Sequence, residues 1–233
     1  MRAMILAAGR GERLRPLTDT IPKPMVKLAG RELLLWHVLR LRHVGIRDIV
    51  VNSAWLSHKI VDFLGDGSKW GVKIVHSVEG PEGLETAGGI IQTLDYFGSD
   101  PFLVVNGDTY LDADYTQFLQ EDLEDGDALL FMINNPRHNP NGDFALRSDG
   151  HLQKGHDYTF SGAAVYTPQI FAGLGKGKRA LRPVFDNLIE EGRLFGKLLQ
   201  GTWFDVGTMQ RLQEATAYAV LHNKNAFDLE IWE

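Results

Sequence analysis

Four charged side chains stand where this chain could neutralise and position phosphate. Arg13 and Lys23 follow the first apolar run, and Asp108 and Asp205 each end a later one. The first stretch reads Met4-Ile5-Leu6-Ala7-Ala8-Gly9-Arg10-Gly11-Glu12-Arg13-Leu14-Arg15-Pro16-Leu17-Thr18, with Pro22-Lys23-Pro24 close behind. Small residues and glycines at a strand end let backbone N–H groups approach an anion closely. Arg13, Arg15 and Lys23 bring positive charge to the same place. Asp108 closes the run that starts at Phe102, and Asp205 lies in Trp203-Phe204-Asp205-Val206-Gly207-Thr208. Two carboxylates at strand ends beside a phosphate loop suit Mg²⁺, which takes one or two carboxylates together with phosphate oxygens. Asp112 and Asp114 lie nearby and read instead as a solvated turn and a helix N-cap.

Commoner chemistries are excluded by spacing. The dinucleotide fingerprint needs a third small residue where this chain has Arg13 and Leu14, and no G-x-x-x-x-G-K-[ST] string occurs. The eight histidines are scattered, with no H-E-x-x-H pair, and no G-x-S-x-G elbow supports a serine nucleophile. The chain has no cysteine, so it has no disulfide, thiol nucleophile or cysteine-held metal. A formal charge of -6 argues against a general nucleic-acid binder.

On these residues the chain resembles the sugar nucleotidylyltransferases, which join a nucleoside triphosphate to a sugar 1-phosphate. Their pattern L-A-A-G-x-G-x-R-x-x-P-L-T followed by P-K-P matches residues 6–24 throughout. The resemblance implies that Leu6, Ala7, Ala8, Gly9 and Gly11 belong to a loop holding base and triphosphate. It implies catalytic charge roles for Arg13 on the phosphates and Lys23 near the α-phosphate, and Mg²⁺ on Asp108 and Asp205. Gly80-Pro81-Glu82-Gly83-Leu84-Glu85-Thr86-Ala87-Gly88-Gly89 matches a second motif that borders the nucleoside in that family, with Glu79 and Gly88 as candidates. Asn106 is a candidate for the ribose or the acceptor sugar, Asp143 and Gly162 for the sugar, and Lys154 for its phosphate. Further strings, such as 51–56, 64–68 and 84–90, resemble a short bacterial branch that transfers a uridylyl group in cell-wall recycling. The implied partners are small molecules only, a triphosphate and a sugar 1-phosphate, with a homo-oligomer in prospect and no nucleic acid or membrane.

The elements that must position these residues alternate along the chain. Strand-like runs at 3–8, 48–52, 72–75, 102–105, 128–133 and 160–166 interleave with helical ones at 31–44, 57–64, 88–96, 115–123, 181–191 and 209–221. This predicts an α/β, doubly wound, mainly parallel Rossmann-like sheet with helices on both faces, whose ligands bind beyond the carboxyl ends of the strands. At 233 residues with a 44% hydrophobic share, one domain is expected, with a nucleotide-binding half near 1–110 and a sugar-phosphate half at 111–233. Ser57 and Thr86 read as helix caps. No apolar run approaches the roughly 18 residues of a membrane span, and the chain opens directly on its first strand. A cytoplasmic protein is expected. The apolar tail at 225–233 reads as a packing segment for the body or a partner.

Overall fold

The computed structural model describes residues 1–119 and 123–222. The elements run β1 (Arg2–Leu6), β2 (Lys27–Leu28), β3 (Arg31–Glu32), α1 (Leu33–His43), β4 (Asp48–Ser53), α2 (Ser57–Leu64) and β5 (Lys73–Val78). They continue with α3 (Glu85–Gln92), α4 (Leu94–Phe97), β6 (Phe102–Asn106), β7 (Thr109–Asp112), β8 (Ala128–Asn134) and β9 (Phe144–Leu146). The last are β10 (Leu152–Tyr166), α5 (Arg182–Glu191), β11 (Leu194–Leu198), β12 (Thr202–Asp205) and α6 (Met209–His222). The main sheet has the order β11-β8-β10-β6-β1-β4-β5, with β9 paired to β10. Crossover order and buried strands make it the doubly wound α/β class. The β4–β5 and β8–β11 pairs are parallel, whereas β10 runs antiparallel to both neighbours. No helix among the described residues is long and apolar enough to cross a membrane.

By their internal contacts the residues form two compact units interleaved in sequence. One comprises 1–4, 84–105 and 113–201, the other 5–83, 106–112 and 202 onward. In the second unit, α1 is buried almost all round (Leu33, Leu34, Leu35, Trp36, Val38, Leu39 and Leu41) and stops at Gly45, whose φ is +86°. Trp36 meets Tyr110 edge-on at 5.4 Å, inside a cluster with Val26, Leu28, Val206, Leu212 and Ala215. Burial pushes the Tyr110 hydroxyl up to about 12. This cluster anchors β7, which follows Asp108, β12, which ends on Asp205, and α6.

The first unit has its own aromatic core. Phe97 stacks on Phe102 at 4.0 Å, and Tyr166 packs edge-on against Phe102 and Phe171. Several local expectations change here. The helix expected over 88–96 is two helices, α3 and α4, divided at Thr93, whose hydroxyl bonds back to Ile90 O. Of the helix expected over 115–123, the described residues Tyr115–Phe118 form a 3-10 turn, capped by Asp114 accepting from Thr116 N at 2.9 Å. The caps at α2 and α3 are Leu56 and Leu84, without side-chain bonds, in place of Ser57 and Thr86. The tail at 225–233 lies outside the described residues.

Candidate active site

The first loop leaves β1 at Leu6 and is held by side chains from β4 and the residue after β5. Asn52 Oδ1 accepts the Ala7 N–H at 2.9 Å, and Asn52 Nδ2 donates to Glu79 Oε1 at 2.7 Å. Ala7, Asn52 and Glu79 are all buried. The Ala7 N–H is therefore spent inside the protein, and Glu79 orients the amide that holds it. Thr18 donates to Gly11 O at 2.8 Å, Trp55 Nε1 to Thr18 O at 3.0 Å and Arg10 to Pro81 O at 3.0 Å, so the loop is braced along its length.

Its two glycines differ. Gly11 has φ +66°, and a Cβ there would stand 2.8 Å from Lys23 Cβ. Gly9 has no positive φ, and a Cβ there would meet nothing within 4 Å. Nothing inside the protein requires a glycine at position 9. What the missing side chain preserves is open space over an exposed backbone, the approach a ligand needs.

The carboxylates are brought together by a two-stranded ribbon. In the antiparallel β7–β12 pair, Asp205 stands opposite Thr109, the residue after Asp108. Gly107 seats this turn against β1: its N–H donates to Leu6 O at 2.9 Å, and a Cβ would stand 2.9 Å from Ile5 Cγ2. Lys23 projects from the 3-10 turn Lys23–Met25, fixed by its flanking prolines. Its ammonium lies 2.5 Å from Asp108 Oδ2 and 3.7 Å from Asp205 Oδ1, with the lysine side chain only 7% exposed.

Arg211, on the first turn of α6, was not anticipated from the sequence. Its Nη2 is 3.1 Å from Asp205 Oδ2, within ion-pair range but not aligned as a hydrogen bond, and its Nε has no partner among the described residues. Asp205 is thus held between Lys23 and Arg211. Gly207 leaves room for the arginine: a Cβ there would collide with the Arg211 guanidinium.

Arg13 is exposed beside this cluster's loop, whereas Arg15 is engaged by Glu12 at 3.9 Å and Asp19 at 3.3 Å. Asp112 is not a solvated turn residue; it pairs with Arg40 at 3.0 Å. Asn106 is half-buried at the end of β6, and Leu6 at the end of β1. In the other unit, Gly88 donates to Arg179 O at 3.1 Å, and the Gly177 carbonyl fills the space a Cβ would need. Asp143 accepts from Asn139 at 3.2 Å and from Phe160 N at 2.8 Å, which pins its own loop. Gly162, with φ +84°, sits where the β10–β8 register slips between Phe160 and Ala164, and Lys154 is exposed on β10.

Among the described residues no group of three or more His, Cys, Asp or Glu side chains could hold a metal. The Asp108–Asp205 pair nonetheless converges on one cationic atom, which is the donor set Mg²⁺ uses when phosphate oxygens complete its shell. By donor chemistry the residues fit that ion.

A braced backbone loop, a buried lysine and two converging carboxylates at the edge of a doubly wound sheet define a nucleotide-handling α/β protein. The family model described as nucleotidyl transferase matches residues 2–146, and the chain belongs to that family. It is 49% identical over 227 residues to the N-acetylmuramate alpha-1-phosphate uridylyltransferase of Neisseria meningitidis serogroup B, covering 94% of this chain and 98% of the relative. It is 38% identical over 136 residues to a UTP–glucose-1-phosphate uridylyltransferase of Synechocystis, covering 54% of this chain and only 35% of that longer protein. In fold it is similar to a Bacillus anthracis protein crystallised with sucrose and assigned as a glucose-1-phosphate thymidylyltransferase. The TM-score is 0.84 at 23% identity, over 94% of this chain and 95% of that one.

Proposed function

We propose that this chain is a cytoplasmic sugar-1-phosphate uridylyltransferase that converts UTP and N-acetylmuramate α-1-phosphate to UDP-N-acetylmuramate and pyrophosphate, in peptidoglycan recycling. The observation that carries the reading is the match to an enzyme of that name along 98% of its length. The cluster of Lys23, Asp108, Asp205 and Arg211 supplies the chemistry that reaction needs.

A phosphate oxygen of the sugar 1-phosphate attacks the α-phosphorus of UTP. That P–O bond forms as the bond to the bridging α–β oxygen breaks, and pyrophosphate leaves with the electron pair. The nucleophile is already anionic at neutral pH, so no general base is required. Catalysis is positioning and charge neutralisation. The loop of Leu6–Gly11 seats the nucleotide, and Lys23 steadies the α-phosphate. Arg13 offsets charge on departing pyrophosphate. Asp108 and Asp205 would hold Mg²⁺, which when bound withdraws charge from phosphate oxygens.

The test is pyrophosphate release with and without Mg²⁺, using UTP, GTP and dTTP against N-acetylmuramate, N-acetylglucosamine, glucose and mannose 1-phosphates. Preference for UTP with the muramate supports the reading. Turnover confined to GTP with mannose 1-phosphate, or to dTTP with glucose 1-phosphate, would keep the mechanism and replace the substrates. No turnover with any pair would point to a binding module.

A further inference from the structure

Lys23 lies between Asp108 and Asp205, the two carboxylates read as metal-holding residues. Its ammonium is 2.5 Å from one carboxylate and 3.7 Å from the other, and the side chain is almost wholly covered. No histidine or third acidic group among the described residues joins the pair to make a metal cluster. We infer that Lys23 is the resident counter-cation of the Asp108–Asp205 pair, and that a divalent ion enters by exchange with its ammonium, so metal and nucleotide bind as a coupled pair. The inference rests on reading Asp108 and Asp205 as the metal-holding residues.

Lys23 and Arg211 together balance the two carboxylates, so the cluster is neutral without any ion. A free metal ion would have to push a buried ammonium away from both carboxylates, and a buried ammonium left unpaired is costly. A triphosphate removes that obstacle because its oxygens can receive the ammonium. Each partner therefore clears the way for the other. Linkage requires the coupling to be reciprocal, and such couplings typically amount to about 5–150-fold in affinity. The close packing of Gly11 on the Lys23 stem limits the exchange to the end of the side chain.

The test measures binding of Mn²⁺ by electron paramagnetic resonance, with no catalysis involved. Wild type, Lys23→Met and Lys23→Arg are titrated alone and with the non-reacting α,β-methylene analogue of UTP. The expected results are weak Mn²⁺ binding to wild type alone, and tightening of about tenfold or more with the analogue. Lys23→Met should bind Mn²⁺ alone about tenfold more tightly than wild type and show less coupling, while Lys23→Arg stays weak. Equal affinity of wild type and Lys23→Met without nucleotide overturns the exchange. If Asp205→Asn still abolishes the analogue-dependent binding, the metal-pair reading survives that result. Absence of Mn²⁺ binding to wild type even with the analogue removes the metal-pair reading and the exchange together. Should Lys23→Met not fold, Lys23→Gln takes its place, with equal Mn²⁺ affinity to wild type in the absence of nucleotide again overturning the exchange.

Discussion

Gly11 packs directly on the stem of Lys23, so closely that a Cβ on the glycine would stand 2.8 Å from the lysine's own Cβ. The loop that seats the nucleotide and the lysine that meets its phosphate are therefore one packed unit. With φ +66° at the same position, Gly11→Ala is strained in the backbone as well as crowded.

Substitution at the two loop glycines should consequently separate stability from binding. Gly11→Ala is expected to cost about 1–3 kcal/mol in urea denaturation. Gly9→Ala meets no neighbour and should fall within about 0.5 kcal/mol of wild type. Its effect belongs to the ligand, with KM for UTP raised about tenfold. Gly9→Ala with wild-type KM would remove that position from the nucleotide cradle.

The Ala7–Asn52–Glu79 chain makes a second prediction because its polarity can be reversed. Asn52→Asp keeps the acceptor for Ala7 N–H but sets a carboxylate against Glu79, and a buried group losing its partner costs about 1–3 kcal/mol. KM for UTP should rise in this variant at neutral pH. When Asn52→Asp is combined with Glu79→Gln, the glutamine amide donates to the introduced carboxylate and both hydrogen bonds return, so stability should recover. If the double variant is no more stable than Asn52→Asp alone, the chain does not orient the loop as described.

His37 sets an acid limit on stability. Burial, partly offset by the hydrogen bond to the Thr109 carbonyl at 2.8 Å, lowers its pKa from 6.5 to about 4. Between those values the unfolded chain binds the proton and the folded one does not. Stability is therefore unaffected by His37 above 6.5 and falls as pH drops below it, by up to about 1.4 kcal/mol per pH unit. Urea midpoints followed from neutral pH down towards the folded-state pKa should show a steeper decline for wild type than for His37→Gln. Parallel curves would mean that His37 carries its proton in the folded protein.

Much of the frame was legible in the sequence because buried strands and helical stripes leave a periodic trace. Strands at 48–53, 102–106 and 128–134 fall close to where apolar runs place them. The β7–β12 ribbon was not legible as a pairing, since partners so far apart in the chain share no local signal. The first half of β10 was also missed, because 152–159 mixes polar residues without a clean alternation. At the site, residue types pointed to Lys23, Asp108 and Asp205, but not to their shared atom. Gly88, read as a nucleotide contact, and Gly162, read as a sugar contact, each also have a packing role within their own unit: a carbonyl packed on one and a bulge at the other. Arg211 was invisible because an arginine early in a helix is ordinary until the fold sets it on Asp205.

That last contact yields the most discriminating kinetic prediction. Lys23 lies on Asp205 Oδ1 and Arg211 on Oδ2, so Arg211 fixes the rotation of the carboxylate. Arg211→Met should lower kcat about tenfold while KM for UTP changes less than about twofold, because the positioning matters when charge moves and not when the base is seated. Arg211→Lys should recover part of the loss. Gly207→Ala reaches the same end by another route, since its methyl group occupies the place of the guanidinium. The same methyl group would also stand 3.1 Å from both Asp205 oxygens, so Gly207→Ala in the Arg211→Met background should cost less than it does in wild type, though not nothing. Additive losses would show that Gly207 acts on something other than Arg211, and an unchanged kcat in Arg211→Met would leave the arginine a structural ion pair only.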